Sequence, residues 1–162
     1  MYMYKYLLSA LFCVVLCSMA FAQQTKTTKT TIAPFKIRLV NGEGFTYSQL
    51  AKNKPTILVY FSPTCDHCKK FTEAMLKRKK ELADRQIIMI SYLPLNEVKQ
   101  FDDEFHLSSY PNIKVGSEGY TFIVQKYYNI QQFPFVATYD KQGKLSKIVP
   151  YNKESAQMAA QL

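Results

Sequence analysis

The chain of 162 residues has no tryptophan, only five glycines and only four cysteines. The low glycine content, together with seven prolines, excludes collagen-like and low-complexity proteins. No long apolar stretch follows residue 21, which excludes a protein with several membrane-spanning helices. The remaining composition, 48% hydrophobic and 20% charged, predicts a single globular domain.

The chain is basic, with a formal net charge of +9 from 21 lysines and arginines against 12 aspartates and glutamates. An excess of this size suits solubility, an acidic partner or a membrane surface, and it does not choose among them. The basic residues between positions 69 and 80 recur along a predicted helix, so we interpret them as a solvated helix face. No nucleic-acid-binding motif accompanies them, and we expect no nucleic-acid partner.

Residues 1–22 have the pattern of a cleaved secretory signal peptide. Lys5 precedes the apolar run Leu7–Phe21, and the small residues Ala20 and Ala22 form a cleavage site. The run of about 15 residues is short of the roughly 20 that a spanning helix needs, which leaves a retained anchor as the less favoured alternative. We therefore expect an exported protein, in a bacterial periplasm or secreted, with no stable membrane insertion after cleavage.

The rest of the chain divides into a leader and one domain. Residues 23–33 begin with a polar, threonine- and lysine-rich run and are expected to form a flexible leader. Residues 34–162 alternate between strand and helix patterns and are expected to form a single α/β domain. The predicted strands are 35–39, 56–61, 86–92, 135–139 and 144–149, and the predicted helices are 66–83, 96–106 with Asn96 as cap, 118–128 with Ser117 as cap, and 153–162.

Cys65 and Cys68 are the central feature, because they are the cysteines that remain after cleavage. They follow the buried strand 56–61 and stand at the start of the predicted helix. A cysteine just ahead of a helix has its thiolate stabilised by free backbone N–H groups and by the helix dipole, so Cys65 is the candidate nucleophile. Cys68, one turn later and facing inward, is close enough to resolve a mixed disulfide. The pair suffices for a redox cycle without a bound cofactor.

Other uses of a cysteine pair fit this spacing less well. A structural disulfide across a two-residue gap would constrain the unfolded chain little. A zinc site would need both His67 and His106, and His67 shares the short turn of the cysteines. Covalent haem attachment needs a histidine directly after the second cysteine, where this chain has Lys69.

The segment Val59–Lys70, VYFSPTCDHCKK, resembles the active-site segment of the thioredoxin superfamily. The resemblance extends from about Phe35 to the C-terminus. Residues 35–50 are similar to the extra N-terminal strands and turn of secreted TlpA/ResA-like thiol-disulfide oxidoreductases, which form the redoxin branch of the superfamily. Residues 128–135 are similar to the loop that carries the family's cis-proline. The resemblance implies a thioredoxin fold, a central mixed β-sheet flanked by helices, with an N-terminal strand or hairpin extension.

Position by position, the resemblance implies Cys65 as nucleophile and Cys68 as resolving residue, with a redox-active disulfide between them. Pro134 stands at the place of the cis-proline packed against that disulfide. Phe133 precedes it, where the family offers a backbone to an extended substrate peptide. An ordinary trans proline at the start of a strand is the alternative for Pro134. The resemblance implies no metal and no other cofactor.

The two residues between the cysteines are expected to tune the redox potential. His67 resembles the histidine of DsbA-like oxidases, where it favours the thiolate of the first cysteine and makes the protein more oxidising. Asp66 acts in the opposite direction, because its charge repels a thiolate. Both residues also fit plain roles, Asp66 in the first turn of a helix and His67 as an exposed neighbour.

Several positions depart from the family pattern. Phe61 and Thr64 stand where the family usually has aromatic residues around the start of the motif, tryptophan being absent. Val59 replaces the buried acid that many thioredoxins place six residues before the first cysteine. Phe71 replaces a glutamate that some TlpA/ResA-like proteins carry. Glu73 is the remaining, weak candidate for taking a proton from the resolving cysteine.

Together these features predict an exported thiol-disulfide oxidoreductase that exchanges disulfides with protein cysteines, more in the reducing direction, with electrons from a membrane relay protein. A DsbA-like oxidase or isomerase is the first alternative. A copper-handling protein is another, in which a histidine joins the cysteines, although His106 would have to come from a predicted helix. A binding module that keeps the fold without catalysis is the third.

Overall fold

The structure is a computed structural model that describes residues 30–162. The predicted signal peptide, residues 1–22, and most of the predicted leader, residues 23–33, lie outside the described residues. Within the described part, no helix has both the length and the apolar character needed to cross a membrane.

Seven strands form one mixed sheet. In chain order they are β1 (Lys36–Leu39), β2 (Gly44–Thr46), β3 (Thr56–Phe61), β4 (Gln86–Ser91), β5 (Ile113–Ser117), β6 (Phe135–Tyr139) and β7 (Leu145–Val149). Across the sheet the order is β2-β1-β5-β4-β3-β6-β7. The pairs β3–β4 and β4–β5 are parallel, whereas the other neighbours are antiparallel. The predicted mixed central sheet is therefore confirmed.

Helices cover both faces of this sheet. In the described residues they are α1 (Asp66–Lys77), α2 (Leu95–Phe105), α3 (Ile123–Tyr128) and α4 (Ser155–Ala159), with 3-10 turns at Tyr47–Gln49, Leu107–Ser109 and Gly119–Thr121. The helices α1, α2 and α4 pack in one apolar core, and α3 packs with the N-terminal strands in a second core on the opposite face. The flanking helices predicted for an α/β domain are thus present.

Strand β3 explains why there is a core on each face. All residues of Thr56–Phe61 are buried. Ile57 and Val59 point into the core that contains α1, while Leu58 and Tyr60 point into the opposite core, because side chains alternate along a strand. A strand buried on both faces needs a continuous apolar sequence. The central strand predicted from that sequence is confirmed, and it ends just before the cysteines.

The strand patterns of the sequence predict neither β2 nor β5, although the resemblance implied the N-terminal hairpin that β1 and β2 form. Gly116 weakens the strand pattern of β5, but a Cβ atom there would lie 2.5 Å from the carbonyl oxygen of Arg38 on β1, so glycine permits the two strands to pair. Ser117 ends β5 and caps no helix. Its hydroxyl donates to the Leu93 carbonyl at 2.6 Å and accepts from the Gly119 N–H at 2.9 Å. The predicted cap at Ser117 is therefore wrong.

Three of the four predicted helices are longer than the observed ones. Helix α1 ends at Lys77 rather than near residue 83. Residues 79–81 are exposed, and the buried Leu82 belongs to a turn that follows them. The predicted helix 118–128 consists of a 3-10 turn followed by α3, and α4 is shorter than 153–162. Helix α2 begins at Leu95 with Pro94 as N-cap and without a side-chain cap. The prediction of Asn96 as cap is therefore wrong.

Two of the turns between strands contain a glycine with positive φ. Gly42 has φ +89° and Gly143 has φ +75°, a region that glycine enters without steric cost. In the second turn the Asp140 carboxylate accepts from the N–H groups of Gln142 and Lys144, both at 2.9 Å. This turn joins β6 to β7 and so completes the antiparallel side of the sheet.

Candidate active site

Cys65 lies at the junction of β3 and α1. It is the N-cap residue of α1, with extended backbone angles, and its own N–H donates to the Ser62 carbonyl at 3.1 Å. The buried strand therefore delivers Cys65 to the end of a helix whose first N–H groups point toward it. This position agrees with the one expected from the sequence, and it favours negative charge on the sulfur atom.

The Cys65 sulfur is contacted from two sides. Its Sγ accepts from the Cys68 N–H at 3.3 Å, and its thiol faces the Phe133 carbonyl oxygen at 3.8 Å. Cys65 is partly exposed, and both cysteines are free thiols. A partly exposed sulfur at a helix N-terminus, with a backbone N–H directed at it, is placed to attack a disulfide.

Cys68 has different surroundings. It is 1% exposed and packs in the core that contains α1. Burial raises the pKa of the Cys68 thiol far above its ordinary value, and the hydrogen bond with Cys65 raises it further, whereas the Ser62 backbone acts in the opposite direction. A buried thiol that stays protonated suits the resolving residue, which reacts after the first cysteine. The sequence assigned these two roles in the same order.

The two segments that carried the resemblance meet in space. The Phe133–Pro134 peptide bond is cis, as the resemblance implied, and Pro134 is buried. Phe133 brings its carbonyl to Cys65 across 68 positions of sequence. Because β6 pairs with β3 along its length, the start of β6 lies beside the end of β3. This pairing places the proline loop next to the cysteines.

Asp66 and His67 occupy the first turn of α1 and make few contacts. Asp66 is exposed. The His67 ring packs edge-on against Tyr151, with centroids 6.1 Å apart, and its Nδ1 atom is buried without a hydrogen-bond partner in the described residues. His67 is therefore more buried than the exposed neighbour considered from the sequence. Its influence on the redox potential stays a prediction.

The structure does not join Glu73 to Cys68. The Glu73 side chain is exposed on α1, and among residues 30–162 the buried carboxylates are Asp102 and Glu118, each 5% exposed. Glu118 accepts from the Tyr60 hydroxyl at 2.6 Å and from the Val124 N–H at 3.0 Å.

Sequence reasoning missed the tyrosines and the carboxylate around the proline loop. The Tyr60 ring lies 5.9 Å from the ring of Phe133 and 6.4 Å from that of Tyr92. One signal was present, because a tyrosine inside a fully buried strand needs a partner for its hydroxyl. Nothing local in the sequence identifies Glu118 as that partner, 58 positions away.

The described residues contain no group of three or more histidine, cysteine, aspartate or glutamate side chains arranged to hold a metal ion. The structure therefore does not bring His106 to the cysteines, and His106 follows the end of α2 in a left-handed conformation. The histidine that the copper alternative would need at the cysteines is not supplied by this helix.

Residues 48–162 match the family model of the thioredoxin-like domain. The chain belongs to this family. The match covers β3, both cysteines and the cis-proline loop, whereas residues 35–47, which also contributed to the resemblance, lie before it. The thioredoxin superfamily and its fold, predicted from the motif, are therefore confirmed. No curated protein sequence matches the chain.

Solved structures with the same fold come from several bacteria. A secreted disulfide oxidoreductase of Mycobacterium tuberculosis, homologous to E. coli DsbE, has 17% identity and a TM-score of 0.62, covering 80% of this chain and 96% of that one. A putative protein disulfide isomerase of Bacteroides thetaiotaomicron has 24% identity and a TM-score of 0.62, covering 82% and 85%. A thiol-disulfide oxidoreductase of Bacteroides fragilis has 16% identity and a TM-score of 0.64, covering 83% and 100%. At these identities the likeness concerns the fold.

Proposed function

We propose that this thioredoxin-like protein is an exported thiol-disulfide oxidoreductase that acts on protein cysteines through Cys65 and Cys68. The observation that carries the proposal is the position of Cys65: a partly exposed thiol at the start of α1, between the Cys68 N–H at 3.3 Å and the Phe133 carbonyl at 3.8 Å. The solved structures with this fold include proteins described as thiol-disulfide oxidoreductases, which supports the same chemistry here.

In the reducing direction, the Cys65 thiolate attacks one sulfur of a substrate disulfide and the other sulfur leaves as a thiolate. Cys68 loses its proton and attacks the Cys65 sulfur of the mixed disulfide, which releases the second substrate thiol. Two electrons pass to the substrate, and a disulfide remains between Cys65 and Cys68. A dithiol reductant, such as a membrane relay protein, must then reduce this disulfide. No metal or organic cofactor takes part in this cycle.

Asp66 supports the reducing direction. Its exposed carboxylate repels negative charge on the neighbouring Cys65. A less stable thiolate in the reduced form favours the oxidised pair, which is the behaviour of a reductant. The opposite direction, as in DsbA-like oxidases or isomerases, is the second candidate, and the place of His67 beside Cys65 favours it.

We also propose that the protein is exported and that its chain has three parts. Residues 1–22 would be removed on export, 23–33 would form the leader, and 34–162 the catalytic domain. The secreted relative from Mycobacterium tuberculosis supports an exported protein.

The test is a trap for the mixed disulfide. The variant Cys68→Ser lacks the resolving sulfur, so Cys65 is expected to stay linked to its substrate, and the product is separated on a non-reducing gel and identified by mass. The matched control, Cys65→Ser, is expected to trap nothing. Equal trapping by both variants, or by neither, would refute the assigned roles. If both variants retained the protein's biological effect, the protein would be a non-catalytic binding module.

A further inference from the structure

Four aromatic rings contact one another in succession, beginning at Phe133 beside Cys65. We call them the aromatic ladder, which consists of Phe133, Tyr92, Phe122 and Tyr120 in this order. The centroid distances between successive rings are 5.8, 5.8 and 6.2 Å. One end belongs to the residue whose carbonyl faces Cys65 at 3.8 Å. The ladder is therefore continuous with the proposed active site.

The buried ring of Tyr60 holds the inner rings of the ladder, Phe133 and Tyr92, in place. Tyr60 is fully buried, and its ring contacts those of both Phe133 and Tyr92. Its hydroxyl donates to the buried Glu118 carboxylate at 2.6 Å, which holds the phenol in one position. Rings that are already held in place lose little conformational freedom when a partner binds. The inner half of the ladder is thus preorganised.

The outer end is exposed at the surface. Tyr120 is 71% exposed, so folding gains little from its ring. Phe122 has φ +52°, a left-handed conformation that is unusual for a bulky residue and is often retained where a site requires it. The Lys126 ammonium lies 5.9 Å from the Phe122 ring. These features favour a role for the outer rings in contact with a partner.

The spacing of the rings fits an extended polypeptide. A strand rises about 3.3 Å per residue, so side chains on one face recur about every 6.6 Å. The ladder places its rings 5.8 to 6.2 Å apart. An extended chain whose cysteine reacts with Cys65 would therefore bring its alternate side chains over successive rings. Aromatic rings pack best against aromatic or large apolar partners.

We propose that the aromatic ladder binds an extended substrate segment with aromatic or large apolar side chains at alternate positions beside its cysteine. The inference rests on the proposed function and names the class of substrate. Such a segment is exposed in an unfolded or partly folded protein, because folded proteins bury these side chains. The partner is therefore an unfolded chain rather than a folded surface.

The experiment uses the reduced protein, residues 23–162, and three peptides that carry a cysteine linked to glutathione. One peptide has phenylalanine at the second and fourth positions before the cysteine, one has it at the same positions after the cysteine, and one has serine throughout. Dithiothreitol reduces the Cys65–Cys68 disulfide that each turnover leaves, and we measure kcat/KM for release of the peptide thiol after subtracting the direct reaction of dithiothreitol with the peptide. One phenylalanine peptide is expected to react about tenfold faster than the serine peptide, since its two aromatic side chains pack against rings of the ladder.

Variants at the exposed end locate the effect. Tyr120→Ser is expected to reduce the preference about threefold, mainly through KM, for a peptide extended by phenylalanine at the sixth position. Tyr120→Phe keeps the ring and is expected to keep the preference. The matched control is Tyr47→Ser, which removes another exposed tyrosine, 46% exposed, from the 3-10 turn after β2. This control is expected to leave the preference unchanged.

Two results would overturn the inference. Equal rates for all three peptides would mean that the ladder does not select extended apolar segments, and would point to a folded partner. An unchanged preference in Tyr120→Ser, or an equal loss in Tyr47→Ser, would place recognition elsewhere. Exchange with oxidised glutathione alone separates this failure from failure of the proposed function. If that exchange proceeds, only the inference fails, and if it does not, the function fails as well.

Discussion

Cys65 lies between two flanks that are built differently. The aromatic flank consists of Tyr60, Tyr92 and Phe133, whose rings lie within 6.4 Å of one another. The helical flank is formed by α1 and α2, which are joined at the surface by the Lys69–Glu104 ion pair at 2.8 Å. A cleft of about 260 Å³ runs between these helices beside the cysteine motif. One flank is aromatic and partly buried, and the other is charged and open.

Each flank contains one buried carboxylate, and the comparison shows how differently they act. Glu118 joins Tyr60 of β3 to the start of α3, so its two hydrogen bonds connect elements that are far apart in sequence. Asp102 of α2 accepts from the N–H and hydroxyl of Ser108, six residues later, and so stabilises a local turn. The aromatic flank packs against Phe133, whose carbonyl faces Cys65, and we expect the helical flank to have no such role.

The largest expected difference is between the alkylation rates of Cys65, which is partly exposed, and Cys68, which is buried. At pH 7, iodoacetamide is expected to modify Cys65 about a hundredfold faster than Cys68, because Cys68 is 1% exposed and burial raises the pKa of its thiol. Mass mapping of the reduced protein after short exposure measures both rates. Equal rates would mean that Cys68 also lies open between the flanks.

The pH dependence of resolution follows from the same thiol. Because the pKa of Cys68 is raised, the thiol is protonated at neutral pH and its thiolate fraction increases with pH. The rate at which Cys68 resolves a glutathione mixed disulfide on Cys65 should therefore rise about tenfold per pH unit from 7 to 9. Stopped-flow release of glutathione measures it. A rate that levels off below pH 8 would contradict the assignment.

The two buried carboxylates allow a matched test of the flanks. Glu118→Ala and Asp102→Ala are each expected to lower the free energy of unfolding by about 2 kcal/mol, because each leaves buried donors without an acceptor. Only Glu118→Ala is expected to change exchange with peptides, about fivefold in kcat/KM, because Tyr60 then supports Phe133 less firmly. Urea unfolding and peptide kinetics measure the two effects.

A third variant, at Tyr60, is the control for Glu118→Ala. Tyr60→Phe removes the hydroxyl that Glu118 accepts but keeps the ring, so it should produce a smaller kinetic effect than Glu118→Ala at a similar loss of stability. If Asp102→Ala slowed peptide exchange as much as Glu118→Ala, the flanks would be equivalent and the comparison would fail.

The smallest expected effect belongs to the ion pair of the helical flank. Lys69 and Glu104 are 36% and 47% exposed, and pairs of this kind contribute less than about 1 kcal/mol. Lys69→Ala and Glu104→Ala should therefore change stability by less than about 1 kcal/mol and peptide exchange by less than about twofold. Urea unfolding at low and high salt, with the same kinetic assay, provides the check. A larger kinetic loss would show that the helical flank also binds substrate.

The central strand and the cysteines were predictable because their signals are local. A continuous apolar run can only be a strand buried on both faces or a buried helix, and the following Cys65-to-Cys68 spacing fixes the helix start. The cis-proline loop was predictable through the family resemblance rather than from physical pattern. Strand β5 was not, since Gly116 interrupts its pattern and its place depends on the neighbouring Arg38 backbone.

The aromatic flank was beyond sequence reasoning for a physical reason. Tyr60, Tyr92, Glu118 and Phe133 come from four separate segments, and only the register of the sheet brings them together. No periodicity of one segment predicts a contact with another. The same applies to Tyr151, which reaches His67 from the segment after β7.

The most direct test of the account is an equilibrium redox titration of the protein, residues 23–162, against dithiothreitol and glutathione buffers, with Cys65 and Cys68 quantified by mass after alkylation. The account predicts one reversible two-electron transition between these two cysteines, at about −250 mV or below, in the range of thioredoxin. A transition at about −120 to −180 mV would contradict the reducing direction. The absence of any reversible disulfide would contradict the account itself.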